Sequence, residues 1–247
     1  MQDQQYTHAI QDCSSWQDFK AGALAELYGG QPFTRGRFLF RGQGSADWHL
    51  ESSFDRWFKG DRLKKNQVAD RLVELFQHEA EGLNMEREVW EDPRRRLALA
   101  QHHGVPTRLV DWTESPYVAA FFAFGSGLST RQDNARVAIW CLDATAAAWA
   151  GQSGVEIINV ASYDNDRLRN QFGWFTLLTA PYSTLEQHVS FCPDAAQALR
   201  KVTIPVSEAK LALSDLEMMG MSYSKIFPGL DGCARTAVLR TARERLL

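Results

Sequence analysis

The sequence is poor in the features that define several protein classes. Its four cysteines are Cys13, Cys141, Cys192 and Cys233. They are widely spaced and form no CxxC pair, which argues against a disulfide framework or a zinc ribbon and favours reduced thiols. No apolar run approaches the about 20 residues of a transmembrane helix, and the first residues lack the charged and apolar regions of a signal peptide. We therefore expect a soluble, cytoplasmic protein without a membrane partner.

Charge and histidine spacing exclude further classes. The formal net charge is −3 and the isoelectric point is near 6.1, so nothing in the overall charge attracts nucleic acid or an anionic membrane, and a polyanion site would have to be local. His102 and His103 are adjacent, which on a helix points their rings about 100° apart, and the sequence has no HxxxH pattern. No metal site is expected.

The composition that remains is that of a globular domain with one main core. The chain has 247 residues, of which 45% are hydrophobic. Helical and strand-like segments alternate without a regular βαβ rhythm, which predicts an α+β fold of short mixed or antiparallel strands with interspersed helices around one core. We expect a single domain over 1–247, in which 1–35 form an N-terminal helical extension and 36–247 the core.

One segment, QHHGVPTRLVDWTESPYVAAFFAF at 101–124, combines polar and apolar residues unusually densely. The preceding DPRRRLALAQHH predicts a helix with Asp92 as N-cap and Pro93 at its first position, ended by a left-handed Gly104. A strand is then expected over 107–112. Ser115 and Pro116 open the next helix by the same cap pattern.

This strand-to-helix junction predicts an anion site. A helix N-terminus presents unpaired N–H groups and a positive dipole end, which suit a phosphate. The alternating GRFLFRG at 36–42 predicts a strand with Phe38 and Phe40 on one face and Leu39 and Arg41 on the other. Arg41 would offer a planar fork of donors, beside Gly42 and Gly44, which let a ligand approach the backbone. A structural ion pair is the alternative role for Arg41.

The histidines and their neighbours extend this hypothesis. Long polar residues are seldom buried without partners, and five of them gather within eleven positions: Gln101, His102, His103, Arg108 and Asp111. We predict that one or both histidines face the Arg41 pocket. Elsewhere, Ser183 and Glu186 predict a capping box for the helix STLEQHV, which makes Glu186 structural.

Four blocks of sequence resemble one family. FLFRGQGSADWHLESSFDR, QHHGVPTRLVDWTESPYVAAFFAF, NDRLRNQFGWFT at 165–176 and IFPGLDGCA at 226–234 occur in the order typical of FRG domains. The family takes its name from the tripeptide that is Phe40-Arg41-Gly42 here, and the name describes a motif, not an activity. The resemblance suggests a role in bacterial defence or in a toxin system.

A more distant likeness is to the ADP-ribosyltransferases, in which an early-strand arginine, a Ser or Thr before an apolar helix and a glutamate at a later strand surround NAD. Arg41, Thr113 and Gln171 are similarly placed, although Gln171 cannot take up a proton. The likeness implies NAD as substrate and two sets of residues. The catalytic candidates are Arg41, His102, His103, Asp111 and Gln171; the nucleotide-binding candidates are Arg41, Gly42, Gln43, Gln101, Arg108, Thr113 and Ser115.

Two functional hypotheses follow. In the first, the protein cleaves the nicotinamide glycosidic bond of NAD, as an ADP-ribosyltransferase or NAD glycohydrolase, with a protein or nucleic-acid target; Asp111 would then supply the missing carboxylate. In the second, it is a non-catalytic module that binds a nucleotide, a phosphorylated metabolite or RNA. A Ser/His/Asp hydrolase ranks last because the sequence has no GxSxG motif.

Overall fold

The computed structural model describes residues 7–83, 87–127, 135–150, 154–160 and 174–244. Gln171 and the rest of the block at 165–173 lie outside the described residues. Seven strands are present in the described ranges: β1 (Ala9–Asp12), β2 (Phe38–Gln43), β3 (Leu109–Trp112), β4 (Arg136–Asp143), β5 (Val155–Asn159), β6 (Trp174–Leu178) and β7 (Leu199–Pro205).

Short helices separate the strands, and a π-helical turn at Phe19–Ala23 joins the first two helices into one continuous segment. The helices described are α1 (Trp16–Asp18), α2 (Leu24–Tyr28), α3 (Ser53–Trp57), α4 (Lys65–Glu79), α5 (Arg87–Glu91), α6 (Pro93–His102), α7 (Pro116–Gly127), α8 (Leu185–Val189), α9 (Ala195–Ala198), α10 (Ala209–Met218), α11 (Tyr223–Ile226) and α12 (Leu230–Glu244).

The strands form two small sheets that meet at one residue pair. One sheet has the order β1-β7-β4-β2 and the other β3-β6-β5. Only β1 and β7 pair in parallel; the other pairings are antiparallel. Phe40 of β2 and Thr113, just after β3, exchange two backbone hydrogen bonds of 2.7 and 2.8 Å and so connect the sheets. The predicted α+β class with short mixed strands is confirmed.

Apolar side chains pack on both faces of the first sheet. Phe38 and Phe40 point to the face that is covered by α7, whereas Leu39 belongs to a separate cluster with Trp140 on the opposite face. The alternation predicted for GRFLFRG is therefore present. β1 pairs with β7, and Trp16 is fully buried beside Phe124 of α7, so the segment from β1 to α2 is part of the packed structure.

Gly42 marks the close crossing of β2 and α7. A Cβ added at Gly42 would lie 1.8 Å from the backbone oxygen of Ala119 and 2.8 Å from the backbone nitrogen of Ala123. The helix backbone fills the space beside the glycine, and α7 residues Ser126 and Gly127 do the same at Gly44. The expected open approach for a ligand at these glycines is wrong, because the helix occupies it. β2 also continues beyond Arg41, to Gln43.

The helix-end signals before and within the 101–124 segment are confirmed. The Asp92 carboxylate accepts hydrogen bonds from the backbone N–H groups of Arg94 and Arg95, Pro93 is the first helical residue, and Gly104 has a φ of 86°. The Ser115 hydroxyl accepts from the Val118 N–H at the start of α7. These caps satisfy N–H groups that a helix start otherwise leaves unpaired.

The capping box at α8 is displaced by one residue from its predicted place. Thr184 is the N-cap, and its hydroxyl accepts from the Gln187 N–H at 3.2 Å, while the Gln187 side chain accepts from the Ser183 N–H at 3.1 Å. The Ser183–Glu186 prediction is wrong. Glu186 instead accepts hydrogen bonds from the Leu50 N–H, at 3.0 and 3.1 Å, and so ties α8 to a distant loop.

The four cysteines are free thiols. Burial raises the pKa of Cys13 to about 11 and also raises the pKa of Cys141. Both therefore remain protonated at neutral pH, which makes them poor nucleophiles. Among the described helices, none combines the length and the apolar character that crossing a bilayer requires.

Replacing Gly42 by Ala is expected to lower the free energy of unfolding by about 3 kcal/mol, because the new methyl group collides with helix backbone that cannot move aside. The measurement is urea unfolding followed by circular dichroism. Gly30→Ala is the control: nothing lies within 4 Å of its Cβ position, although Gly30, unlike Gly42, has a positive φ of 74°. That control should cost only about 1 kcal/mol of backbone strain. Equal losses would contradict the close crossing.

The corrected cap gives a second stability prediction. Thr184→Ala removes the hydroxyl that accepts from Gln187 and should destabilise the protein by about 1 kcal/mol. Ser183→Ala should change stability by less than about 0.5 kcal/mol, because the Ser183 contact uses its backbone N–H, which alanine retains. Thermal unfolding of the two variants compares them, and a larger loss in Ser183→Ala would restore the original assignment.

Candidate functional site

Arg41 binds the end of β3 where the two sheets diverge. In an antiparallel ladder the next hydrogen-bonded pair after Phe40 and Thr113 would be Gly42 and Asp111. The Arg41 guanidinium replaces this backbone pairing. Its Nη1 donates to the Asp111 backbone oxygen at 2.9 Å and lies 3.4 Å from the Asp111 carboxylate. The Arg41 Nε is buried and has no hydrogen-bond partner among the described residues. The arginine thus acts as a side-chain extension of the ladder.

Asp111 is also the centre of a polar network that reaches α6. Its Oδ1 accepts from the Gln101 Nε2 at 2.6 Å, and the Gln101 oxygen accepts from the Thr107 hydroxyl. Arg41, Asp111, Gln101 and Thr107 therefore form one connected chain. Sequence reasoning grouped three of these four residues, and the structure brings them together.

The remaining candidates of the 101–111 group point elsewhere. His102 and His103 are exposed, with ring centroids 5.1 Å apart, and the His103 ring lies 6.2 Å from that of Phe76 on α4. Arg108 is buried and donates to Asn66 at 2.7 Å and to Asp70 at 2.5 Å. Arg108 and His103 therefore contact α4.

Gln43 and Thr113 have internal partners that explain their burial. The Gln43 amide donates to the His49 backbone oxygen at 2.9 Å and accepts from the Trp140 indole at 2.7 Å. The Thr113 hydroxyl accepts from the Ser115 N–H at 3.2 Å. Since Ser115 in turn caps α7, both hydroxyls shape the junction and occupy donors that a phosphate would otherwise bind.

Arg41 and the start of α7 lie on different faces of β2. Arg41 follows Leu39 and precedes Gln43 in the alternation, and these residues face the cluster that contains Trp140. Gly42 and Phe40 face α7. The two halves of the anion site that the sequence suggested are therefore separated by the strand itself.

A large cavity lies on the α7 side of this strand. Its volume is about 820 Å³, which is within the range of small-molecule sites. Helix α2, the segment before β2 and the first turn of α7 line it, and its wall is mostly apolar and includes three aromatic side chains. The side chains that matter below are Tyr28, Phe33, Arg35, Glu114 and Tyr117.

Glu114 is the buried carboxylate of this cavity. Its side chain is only 5% exposed, and it accepts a hydrogen bond from the Trp174 indole at 3.0 Å. Arg35 Nε lies 3.3 Å from its other oxygen, from a side chain that is 75% exposed. Glu114 and Arg35 are the charged residues among those that line the cavity.

Tyr28 supplies a hydrogen-bond donor to the same wall. Burial raises the pKa of its phenol, with smaller contributions from Cys141 and Tyr117. The hydroxyl therefore keeps its proton at neutral pH. Its ring packs edge-on against Phe38, with centroids 5.6 Å apart, which fixes the ring at the base of β2.

This cavity was not identified from the sequence. Glu114 lies between Thr113 and Ser115, two residues with turn and cap signals, and its own position in the sequence does not set it apart from them. A carboxylate two residues before a mostly apolar helix is the available signal, because such a residue is carried toward the core. Its partners Arg35 and Trp174 are distant in sequence, so their convergence required the fold.

The side chains of the described residues do not assemble a metal centre: no group of three or more His, Cys, Asp or Glu among them is suited to hold an ion. The chemistry available in the cavity is instead that of a carboxylate, a guanidinium and two phenols beside apolar surface. Such a set can bind a flat ring together with a charged group.

Comparison with known proteins adds the family. Neither the curated proteins nor the solved structures include a match to this chain. The model of the FRG domain family matches residues 36–132, a range that runs from the start of β2 through α7 and contains the Arg41 network, Gly42 and Glu114. Residues 36–132 of the chain are therefore similar to an FRG domain.

Proposed function

We propose that this FRG domain protein binds a nucleotide in the cavity at the start of α7 and consumes NAD there, as an ADP-ribosyltransferase or NAD glycohydrolase. The observation that carries the proposal is the buried Glu114 carboxylate in an aromatic cavity of about 820 Å³. A base ring fits against Tyr28, Phe33 and Tyr117, and phosphates fit at the exposed Arg35.

Glu114 supplies the carboxylate that the sequence comparison lacked. In the reaction, the bond between the nicotinamide nitrogen and ribose C1′ breaks and the electron pair stays on the ring nitrogen. Water or an acceptor hydroxyl then adds to C1′ and loses a proton. Positive charge develops on the ribose, and a fixed carboxylate in a partly dry site stabilises such charge far better than water does. Trp174 holds one Glu114 oxygen and so fixes its orientation.

The Arg41 network has a different role in this proposal. Its hydrogen bonds hold β2, β3 and α6 together at the junction from which α7 begins. Arg41, Gln101 and Asp111 are thus proposed as positioning residues, with Gly42 and Gln43 as packing residues. His102, His103 and Arg108 are left without contact to the reacting atoms. A role in bacterial defence or a toxin system, with a protein or nucleic-acid acceptor, fits an NAD-consuming activity and is proposed with it.

The deciding experiment follows release of labelled nicotinamide from NAD. Glu114→Gln should lower turnover about 100-fold or more, because it removes the charge but retains an acceptor for the Trp174 indole. Asp111→Asn tests the rival carboxylate and should lower turnover by less than about tenfold. Glu74→Gln, an exposed position on α4, is the matched control and should match the wild type.

Each other outcome changes the conclusion. A larger loss in Asp111→Asn than in Glu114→Gln, with both variants shown to be folded by circular dichroism, would move the site to the Arg41 side of β2. Saturable binding of NAD by calorimetry without nicotinamide release would favour the non-catalytic module. Binding of a single-stranded oligoribonucleotide but not of NAD would overturn the nucleotide-substrate proposal and favour RNA.

A further inference from the structure

The two hydrogen-bonded partners of Glu114 hold it very differently. The Trp174 indole contacts one oxygen from a partly buried ring that also packs against Gly36, where an added Cβ would lie 3.0 Å from the ring. Arg35 approaches the other oxygen through Nε alone, at 3.3 Å, on a side chain that is 75% exposed. The first contact comes from a packed ring, and the second is a single long contact to a solvated side chain.

This asymmetry has an energetic consequence. A buried carboxylate needs a compensating charge or several donors. An ion pair whose cation is solvated contributes little, so moving Arg35 away costs little if another cation takes its place. With Arg35 turned outward, Glu114 is the remaining charge among the residues that line the cavity. The Glu114 carboxylate then favours binding of a positively charged ligand.

The aromatic residues beside Glu114 indicate which class of cationic ligand fits. Tyr28 and Tyr117 line the cavity beside Glu114, and Phe33 lies at its solvent edge, where it is 60% exposed. Aromatic faces attract cations, and flat cations most readily because they stack as well. A planar aromatic ligand with a formal positive charge can pair with the Glu114 carboxylate and also stack on the tyrosine rings. A neutral aromatic ligand can only stack on the tyrosine rings.

We propose that the corner formed by Glu114, Tyr28 and Tyr117 is a subsite for a cationic aromatic ring of the pyridinium type, and that Arg35 is an exchangeable partner of Glu114. Arg35 pairs with the carboxylate until the ring arrives, and then turns to the phosphate of the same nucleotide. The inference rests on the nucleotide site proposed above. Arg35 is thereby a specificity residue: it competes with the cationic ring for Glu114 and attracts the phosphate of the same ligand.

Calorimetric titrations of the full chain with three probes test this exchange. The probes are N1-methylnicotinamide, which is cationic, nicotinamide, which is the neutral ring, and nicotinamide mononucleotide, which adds a phosphate. The wild type should bind N1-methylnicotinamide at least about fivefold more tightly than nicotinamide, from a charge contact of moderate strength. Glu114→Gln should abolish this preference while circular dichroism shows an intact fold.

Arg35→Gln should then shift two probes in opposite directions. N1-methylnicotinamide should bind about threefold more tightly, because its competitor for Glu114 is gone. Nicotinamide mononucleotide should bind about tenfold more weakly, because a charge-assisted contact to phosphate is lost. Arg37→Gln is the matched control: Arg37 is a nearby arginine that lies 3.9 Å from Asp143, and its replacement should change neither affinity.

Two results would overturn the exchange. One is equal affinity of the wild type for the cationic and the neutral ring, and the other is a shift of both probes in the same direction in Arg35→Gln. If either occurs while NAD turnover still depends on Glu114, only the exchange is wrong and the proposed function stands. If NAD turnover and probe binding are both absent, the exchange and the proposed function are rejected together.

Discussion

Two backbone hydrogen bonds between Phe40 and Thr113 are the constraint on which the junction depends. They join two separate sheets at a single residue pair, and the strands diverge immediately beyond it. Because α7 begins shortly after Thr113, the same pair fixes where this helix crosses β2. The ladder cannot continue on the other side, so Arg41 binds the next carbonyl oxygen instead. The Phe40–Thr113 pair thus determines both the apolar packing of α7 on β2 and the polar Arg41–Asp111 network on the other face of β2.

The FRG tripeptide can be understood from this junction. Phe40 supplies the bridging backbone and a buried ring, Arg41 completes the hydrogen bonding of β3, and Gly42 provides the space for the α7 backbone. These are architectural roles, which fits a family defined by a motif. The cavity is built differently: Tyr28, Phe33 and Arg35 precede the matched segment, which begins at 36. The motif therefore specifies the framework but not the whole wall of the cavity.

Much of the local structure could be predicted from the sequence, because its signals act over a few residues. The Asp92 cap, the Gly104 helix end and the alternation along β2 each depend on neighbours in the chain. The cap at α8 was misassigned because two hydroxyl residues, Ser183 and Thr184, are adjacent and either pattern was available. Only the backbone geometry distinguishes them.

The site was harder to predict for a physical reason. Periodicity shows that Arg41 and Gly42 point to opposite faces of β2, but it does not show which face a later helix covers. An open glycine and a glycine pressed against a helix have the same sequence signature. Glu114 gains its significance from Trp174 and Arg35, which approach it from distant parts of the chain. Such convergence is a property of tertiary packing and leaves no local pattern.

The parallel pairing of β1 with β7 has a consequence for how the protein is made. β1 is an edge strand, and its partner β7 begins only at Leu199, so most of the polypeptide separates the two strands in sequence. During synthesis the ribosome releases the first strand long before its partner, and loop closure of this length is slow. The nascent β1 strand therefore lacks its pairing partner until β7 has emerged, although α7, which packs on Trp16, is synthesised earlier.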